Sequence, residues 1–264
     1  MMPSAPRSPA AADGTASSDS RIPALSVVIP AFDEEENIGP VVGELRATLP
    51  DVAARWELVL VDDGSRDGTR AAMHALAGED PERSRVVGRD HNGGMGAALR
   101  DGYAAARLEW LTFLPADGQI DPADLAAFAA PVAGGADLVT SVYRTRDDGL
   151  VRATLSRGLR VLTAVIGGSR VRLEGVYVVR RGVYQACRPE ADTLFFNLEL
   201  PLRAARAGAR IETVTISCRP RRSGESKVAG TPLVAAKRMA RVFRELVALR
   251  VRMAAAPPRR LDGR

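Results

Sequence analysis

The chain has 264 residues, 46% of them hydrophobic, which suffices for one large domain with a sizeable core. Its formal charge of +5 and pI near 9.7 suit an anionic partner such as a nucleotide, a lipid phosphate or an acidic membrane surface. With only 5% aromatic residues in no stacking pattern, the composition argues against nucleic acid.

Residues 1–22, rich in Ala, Pro and Ser without an apolar period, read as a disordered tail that lacks the apolar run of a secretory signal. A nearly continuous apolar run over 25–32 predicts a strand buried on both faces. A helix follows over 34–49, with Asp33 as its N-cap and Pro50 as its stop. A second strand over 56–61 ends in Asp62-Asp63-Gly64-Ser65, and Asp67 can cap the next helix. A short strand over 85–88 leads into His91-Asn92-Gly93-Gly94-Met95-Gly96, which opens a helix over 97–107. Residues 110–114 form a fourth strand, Asp121-Pro122 starts a helix by a cap and a first-turn proline, and 136–143 form a fifth strand.

This alternation predicts an α/β protein with a doubly wound, mostly parallel sheet and flanking helices. Ligands of such sheets gather at the carboxyl ends of the strands. Asp33, Glu34, Asp62, Asp63 and Asp117 all fall at such ends. Within Leu114-Pro115-Ala116-Asp117-Gly118-Gln119, a carboxylate and an amide flank a glycine just past a buried strand. Such a turn can hold a divalent cation on hard oxygens beside a diphosphate, although an isolated Asp-Gly is more often an ordinary turn.

The second half is less regular. Residues 150–166 read as a helix with an arginine-bearing face, 171–179 alternate like a strand, 194–207 have helical spacing ending at Gly208, and 211–218 form a strand. The most apolar stretch, 155–184, is interrupted by Arg157, Arg160, Arg170, Arg172, Arg180 and Arg181, so the chain is expected to touch a membrane rather than span one. The basic segment 219–227 follows, with Gly224 as a flexible point from which positive charge could close over phosphates. Residues 231–255 form a basic amphipathic helix that either lies on an anionic membrane or packs on the body, and 256–264 form a tail. Cys187 and Cys218 form no metal or redox spacing, so both are expected in the core and the compartment is expected to be the reducing cytosol.

Four motifs in order carry a family resemblance. Residues 27–38 resemble the opening motif of glycosyltransferase family 2, 61–69 its second nucleotide-binding motif, 92–102 its glycine-rich helix start, and Pro115-Ala116-Asp117-Gly118-Gln119 its metal motif. The pattern Arg221-x-x-Gly224-Glu225-Ser226-Lys227 resembles the dolichyl- or polyprenyl-phosphate mannose synthase type. The resemblance implies a GT-A fold over 23–230 and inverting transfer of a hexose from a nucleotide sugar of the GDP-mannose or UDP-glucose type. It further implies that Pro30, Ala31, Phe32, Glu34, Asp62 and Asp117 bind the donor, that Asp117 and Gln119 bind Mg²⁺ or Mn²⁺, and that Arg221, Ser226 and Lys227 join Asp117 in catalysis by contacting phosphates and acceptor.

The chain departs from the pattern in three places. Pro115 stands where the family usually has an aspartate, which leaves a weaker metal site. Arg172-Leu173-Glu174-Gly175-Val176-Tyr177 replaces a Ser-Gly-Phe-Arg-like run, and Phe32 and Asp33 replace Tyr and Asn. Acceptor chemistry narrows the reading. A hydroxyl acceptor needs a general base, whereas a lipid phosphate is already largely ionised, its second pKa being roughly 6. His74 and His91 are poorly placed for a base. Glu199 is the base candidate for a hydroxyl acceptor, or else a helix-surface partner of Arg203. A polyprenyl phosphate at the cytoplasmic face of a membrane is therefore the expected acceptor, with a hydroxyl acceptor or a degenerate nucleotide-sugar-binding module as alternatives. A dinucleotide-binding oxidoreductase fits poorly, because Gly94-Met95-Gly96 comes late and Leu99 occupies the third glycine position. Nothing in the sequence sets the oligomeric state.

Overall fold

A computed structural model describes residues 21–144, 171–172, 174–220 and 232–255. The expected tails over 1–20 and 256–264, the expected helix over 150–166 and the basic loop with Arg221, Ser226 and Lys227 lie outside the described residues.

One seven-stranded sheet organises the chain, in the order β3-β2-β1-β4-β6-β5-β7. The strands are β1 (Leu25–Ala31), β2 (Trp56–Asp62), β3 (Ser84–Gly88), β4 (Trp110–Phe113), β5 (Leu138–Tyr143), β6 (Tyr177–Arg180) and β7 (Ile211–Ile216). All pairings are parallel except those of β6, which runs against both β4 and β5. The helices are α1 (Glu35–Val52), α2 (Thr69–Glu79), α3 (Met95–Ala105), a 3-10 helix (Pro122–Phe128), α4 (Ala129–Ala133), α5 (Arg181–Cys187), α6 (Phe196–Arg206) and α7 (Pro232–Ala255).

The apolar run of β1 is buried at every position, as a central strand covered on both faces requires. Helix α3 packs across β1 and β2 at Gly102, where a Cβ would come within 2.3 Å of Val28 Cγ1. This close approach sets the N-terminal end of α3 beside the carboxyl ends of those strands. The acidic strand ends thus line one edge of the sheet. Chain order also reverses there, since β2 and β4 flank β1 on opposite sides, and that is where ligands of open parallel sheets bind.

Several local expectations are corrected. Asp33 does not cap α1. It takes a left-handed conformation at φ 52°, tolerable for a short polar side chain, and Glu34 precedes the first helical turn instead. Pro50 lies inside α1 and does not stop it, because the chain continues to Val52 under the hold of Ile22. Ile22, assigned to the tail by its sequence, is fully buried; it bridges Ala53, and its N–H donates to Val52 O at 2.9 Å. The alternating run 171–179 yields only the short strand β6, inserted antiparallel between β4 and β5. Asp121 does cap as read, accepting the Ala123 N–H at 3.0 Å. Cys187 is buried, which pushes its thiol up to about 12, whereas Cys218 is half-buried.

Candidate active site

The ends of β1 and β2 are level, with Ala31 opposite Asp62 and the Asp63 N–H donating to Ala31 O at 2.9 Å. The loops that follow are stitched together by side chains. Ser65 Oγ accepts the Asp33 N–H at 3.0 Å, Asp33 Oδ1 accepts the Arg66 N–H at 2.8 Å, and Thr69 Oγ1 accepts the Glu34 N–H at 2.9 Å. Glu34 Oε2 in turn accepts from Asn37 Nδ2 at 2.7 Å. The backbone around Ala31, Phe32 and Glu34 is therefore set by the Asp62-to-Thr69 turn, and each loop depends on the other.

Asp62 is fully buried. It accepts the Ser65 N–H at 3.0 Å and Arg70 Nε at 2.6 Å. Burial pushes its pKa up, but the bonds from Ser65 and Arg70 outweigh this and hold the carboxyl below its ordinary value. Arg70, Gly64, Ser65, Asp67, His74 and Asp90 line an open cavity of about 550 Å³ beyond the end of β2.

Asp63 does something the sequence did not reveal. Its two oxygens accept the N–H groups of Gly93 and Gly94, each at 2.9 Å, with Arg89 Nε at 3.2 Å. Burial wins here and raises its pKa. Beyond Met95, the amides of Gly96 and Ala97 donate to Asp192 O at 2.8 and 3.4 Å. These four amides at the start of α3 thus already have protein acceptors and do not point at an open phosphate site.

Asp192 belongs to a segment held from two sides. Glu199 Oε2 accepts the N–H groups of Glu190 and Ala191 at 3.0 and 2.7 Å, and Arg100 Nη1 donates to both of their carbonyls at 2.8 Å. Glu199 is fully buried, and its other oxygen lies 2.7 Å from Arg203 Nη2. The expected pairing with Arg203 is present, but the carboxylate is neither on the surface nor open to a substrate.

On the other side of β1, Val28 pairs with Phe113 and the Leu114 N–H donates to Val28 O at 2.9 Å, so the chain leaves the sheet three residues before β1 ends. Asp117 follows, half-buried, in a turn that needs Gly118 at φ 69°; its Oδ1 accepts the Gln119 N–H at 3.2 Å. Gln119 O accepts the Arg219 N–H at 2.8 Å, and the Arg219 guanidinium bonds Glu44 Oε1 at 3.1 Å and also Asp121. Arg219 therefore pins the chain entering the basic segment against the Asp117 turn. Sequence spacing offered no signal for this contact.

Pro30, Ala31, Phe32, Glu34, Asp62, Asp117 and Gln119 all lie at the carboxyl ends of three adjacent strands. Among the described residues no three His, Cys, Asp or Glu side chains group as metal ligands. The oxygens of Asp117 and Gln119 are hard donors that fit a divalent cation, provided that a bound diphosphate completes its shell.

An acid-rimmed switch point on a mostly parallel sheet is the GT-A arrangement, and residues 26–179 match the family model described as glycosyl transferase family 2. The chain belongs to that family. It is 32% identical over 225 residues to polyprenol monophosphomannose synthase of Mycolicibacterium smegmatis, with 78% of this chain and 81% of that one covered. It is 35% identical over 127 residues to dodecaprenyl-phosphate galacturonate synthase of Rhizobium johnstonii; this match covers 48% of the chain but only 38% of the relative's length. Among solved structures, glucosyl-3-phosphoglycerate synthase of Mycobacterium tuberculosis, in complex with Mn²⁺, UDP and glucosyl-3-phosphoglycerate, shares the fold with a TM-score of 0.62 at 24% identity, covering 89% of this chain and 81% of that one. No helix among the described residues is long and apolar enough to cross a membrane.

Proposed function

We propose that the chain is an inverting glycosyltransferase that moves a hexose from a nucleotide sugar of the GDP-mannose or UDP-glucose type to a polyprenyl phosphate at a membrane surface. The similarity to a polyprenol monophosphomannose synthase over four fifths of both chains carries the reading. In the reaction a phosphate oxygen of the acceptor attacks the anomeric carbon, the bond from that carbon to the nucleoside diphosphate breaks, and the diphosphate leaves with both electrons. No proton need be removed from an ionised phosphate, so no general base is required.

Glu199 supports this acceptor class by its unavailability. A hydroxyl acceptor would need a base, and this carboxylate is enclosed by Arg203 and two amides. Pro30, Ala31, Phe32 and Glu34 hold the nucleoside, while Asp62, sealed beneath Ser65 and Arg70, serves it by fixing the turn on which they rest. Asp117 and Gln119 would hold Mg²⁺ or Mn²⁺; when bound, the ion offsets charge on the leaving diphosphate. A solved neighbour with Mn²⁺ and UDP is in keeping with this. Arg221 and Lys227, following the Arg219 anchor in the chain, compensate the charge of the attacking and leaving phosphates, and the Ser226 hydroxyl hydrogen-bonds to them.

The test supplies labelled GDP-mannose or UDP-glucose, Mn²⁺ and either undecaprenyl phosphate or a sugar alcohol to the purified chain. Label in the organic phase is expected, reduced at least about a hundredfold by Asp117→Ala. Glycosylation of the sugar alcohol but never of the polyprenyl phosphate would overturn the acceptor, and donor binding without any transfer would mark a degenerate module.

A further inference from the structure

Helix α7 carries two separate apolar faces. Leu246, Leu249 and Met253 are buried and pack with Phe195 and Leu202, so one face is accounted for. Among the described residues the exposed large hydrophobics are Leu194, Phe243, Val247 and Val251. Three of these four follow one another at i, i+4 and i+8 along α7, at 46%, 38% and 63% exposure. Scattered exposed apolar residues are ordinary, but a continuous stripe on one helix is not.

The stripe has a charged border on each side. At roughly 100° per residue, Phe243, Val247 and Val251 span an arc of about 80°, with Arg250 just outside one edge and Arg244 just outside the other. Both arginines are exposed, as is Arg241 further round. Glu245 is the one acidic residue of α7, and it is turned inward, where its carboxylate accepts the Thr193 hydroxyl at 3.1 Å. Arg252 is drawn off toward Glu190 at 3.5 Å. What faces outward from the described part of α7 is an apolar strip between two cations, with no acidic residue of the helix beside it.

We infer that this face of α7 docks on an anionic lipid bilayer, with Phe243, Val247 and Val251 entering the acyl boundary and Arg244 and Arg250 meeting the lipid phosphates. A second copy of the chain fits less well, because pairing the stripe with itself sets arginine borders against each other. The inference draws on the polyprenyl acceptor only for its purpose, since a docked enzyme meets an acceptor dissolved in the same bilayer.

The test is co-sedimentation of the full chain with vesicles of phosphatidylcholine alone and with about one third phosphatidylglycerol, without donor or acceptor. Binding is expected to rise at least about tenfold with the anionic lipid and to fall with salt. The triple variant Phe243→Gln/Val247→Gln/Val251→Gln is expected to lose at least about tenfold of it, and Arg244→Gln/Arg250→Gln to lose the preference for anionic lipid. Glutamine is a good helix former, and equal melting temperatures confirm that the helix persists. Wild-type chain that ignores anionic vesicles, or a triple variant that binds them equally, overturns the inference. So does a wild-type dimer that the triple variant converts to a monomer without loss of lipid binding. Vesicle binding is read without turnover, so it survives even where the transfer reaction fails.

Discussion

Replacing Glu199 by alanine tests whether this carboxylate is structural. The substitution removes a fully buried charge from Arg203, whose Nε and Nη2 lie 2.8 and 2.7 Å away, and from the N–H groups of Glu190 and Ala191. Breaking a buried ion pair by deleting one partner costs about 3–5 kcal/mol, and a stranded buried amide about 1–3 kcal/mol. Arg203 keeps a weaker partner in Glu190 at 3.7 Å, and the 190–192 segment can turn toward water, so the total is expected near the lower figure for the pair, about 3–4 kcal/mol. At roughly 2–4 °C per kcal/mol for a chain of this size, the melting temperature should fall by about 6–16 °C. Asp192 O caps Gly96 and Ala97, so hydrogen exchange should quicken at those two amides as well as at Glu190 and Ala191. Calorimetry, urea denaturation and exchange mass spectrometry read these effects. Stability within about 1 kcal/mol of wild type, with transfer reduced to background, would refute the reasoning and place Glu199 at the reacting atoms.

Other perturbations follow from the same geometry. In Gly96→Ala the new Cβ would meet Ala191 O at 2.1 Å and Thr193 O at 2.8 Å, both backbone atoms, so a loss of at least about 1–3 kcal/mol is expected in urea denaturation; an unchanged midpoint would mean that the 191–193 segment yields freely. Because the bonds from Ser65 and Arg70 hold the folded-state pKa of Asp62 below the ordinary aspartate value, its contribution to stability is present above that ordinary value and lost as pH falls through the folded pKa. Asp62→Asn should therefore flatten the acid side of the stability profile, and an unaltered slope below about pH 4 would contradict the Arg70 pairing. Pro115→Asp adds the carboxylate that the Asp117 turn lacks and should tighten donor-dependent Mn²⁺ binding by about tenfold, read by titration calorimetry; unchanged affinity would place the cation elsewhere.

Much of the site was legible before folding because its signals are local. Buried strands announce themselves as apolar runs, and acids that end them must lie at the carboxyl edge of a parallel sheet; Asp62 and Asp117 follow from that rule alone. Asp121 caps its turn through an N–H only two residues on, well within the reach of pattern reading. Asp63 and Glu199 were not legible in this way. Their partners lie about thirty residues away at Gly93 and Gly94 in one case, and in a segment brought round by packing in the other.

The sequence alone determined the class of sheet, its carboxyl edge and the acids along it, because the 2-residue and 3.6-residue periods and the strand-ending carboxylates are properties of neighbours in the chain. Only tertiary structure decided that β6 enters antiparallel between β4 and β5, that the amides of Gly93, Gly94, Gly96 and Ala97 are taken by Asp63 and Asp192, and that Glu199 is a buried brace instead of a base. Each of these depends on which distant groups must satisfy one another once water is excluded, and residue spacing does not encode that demand.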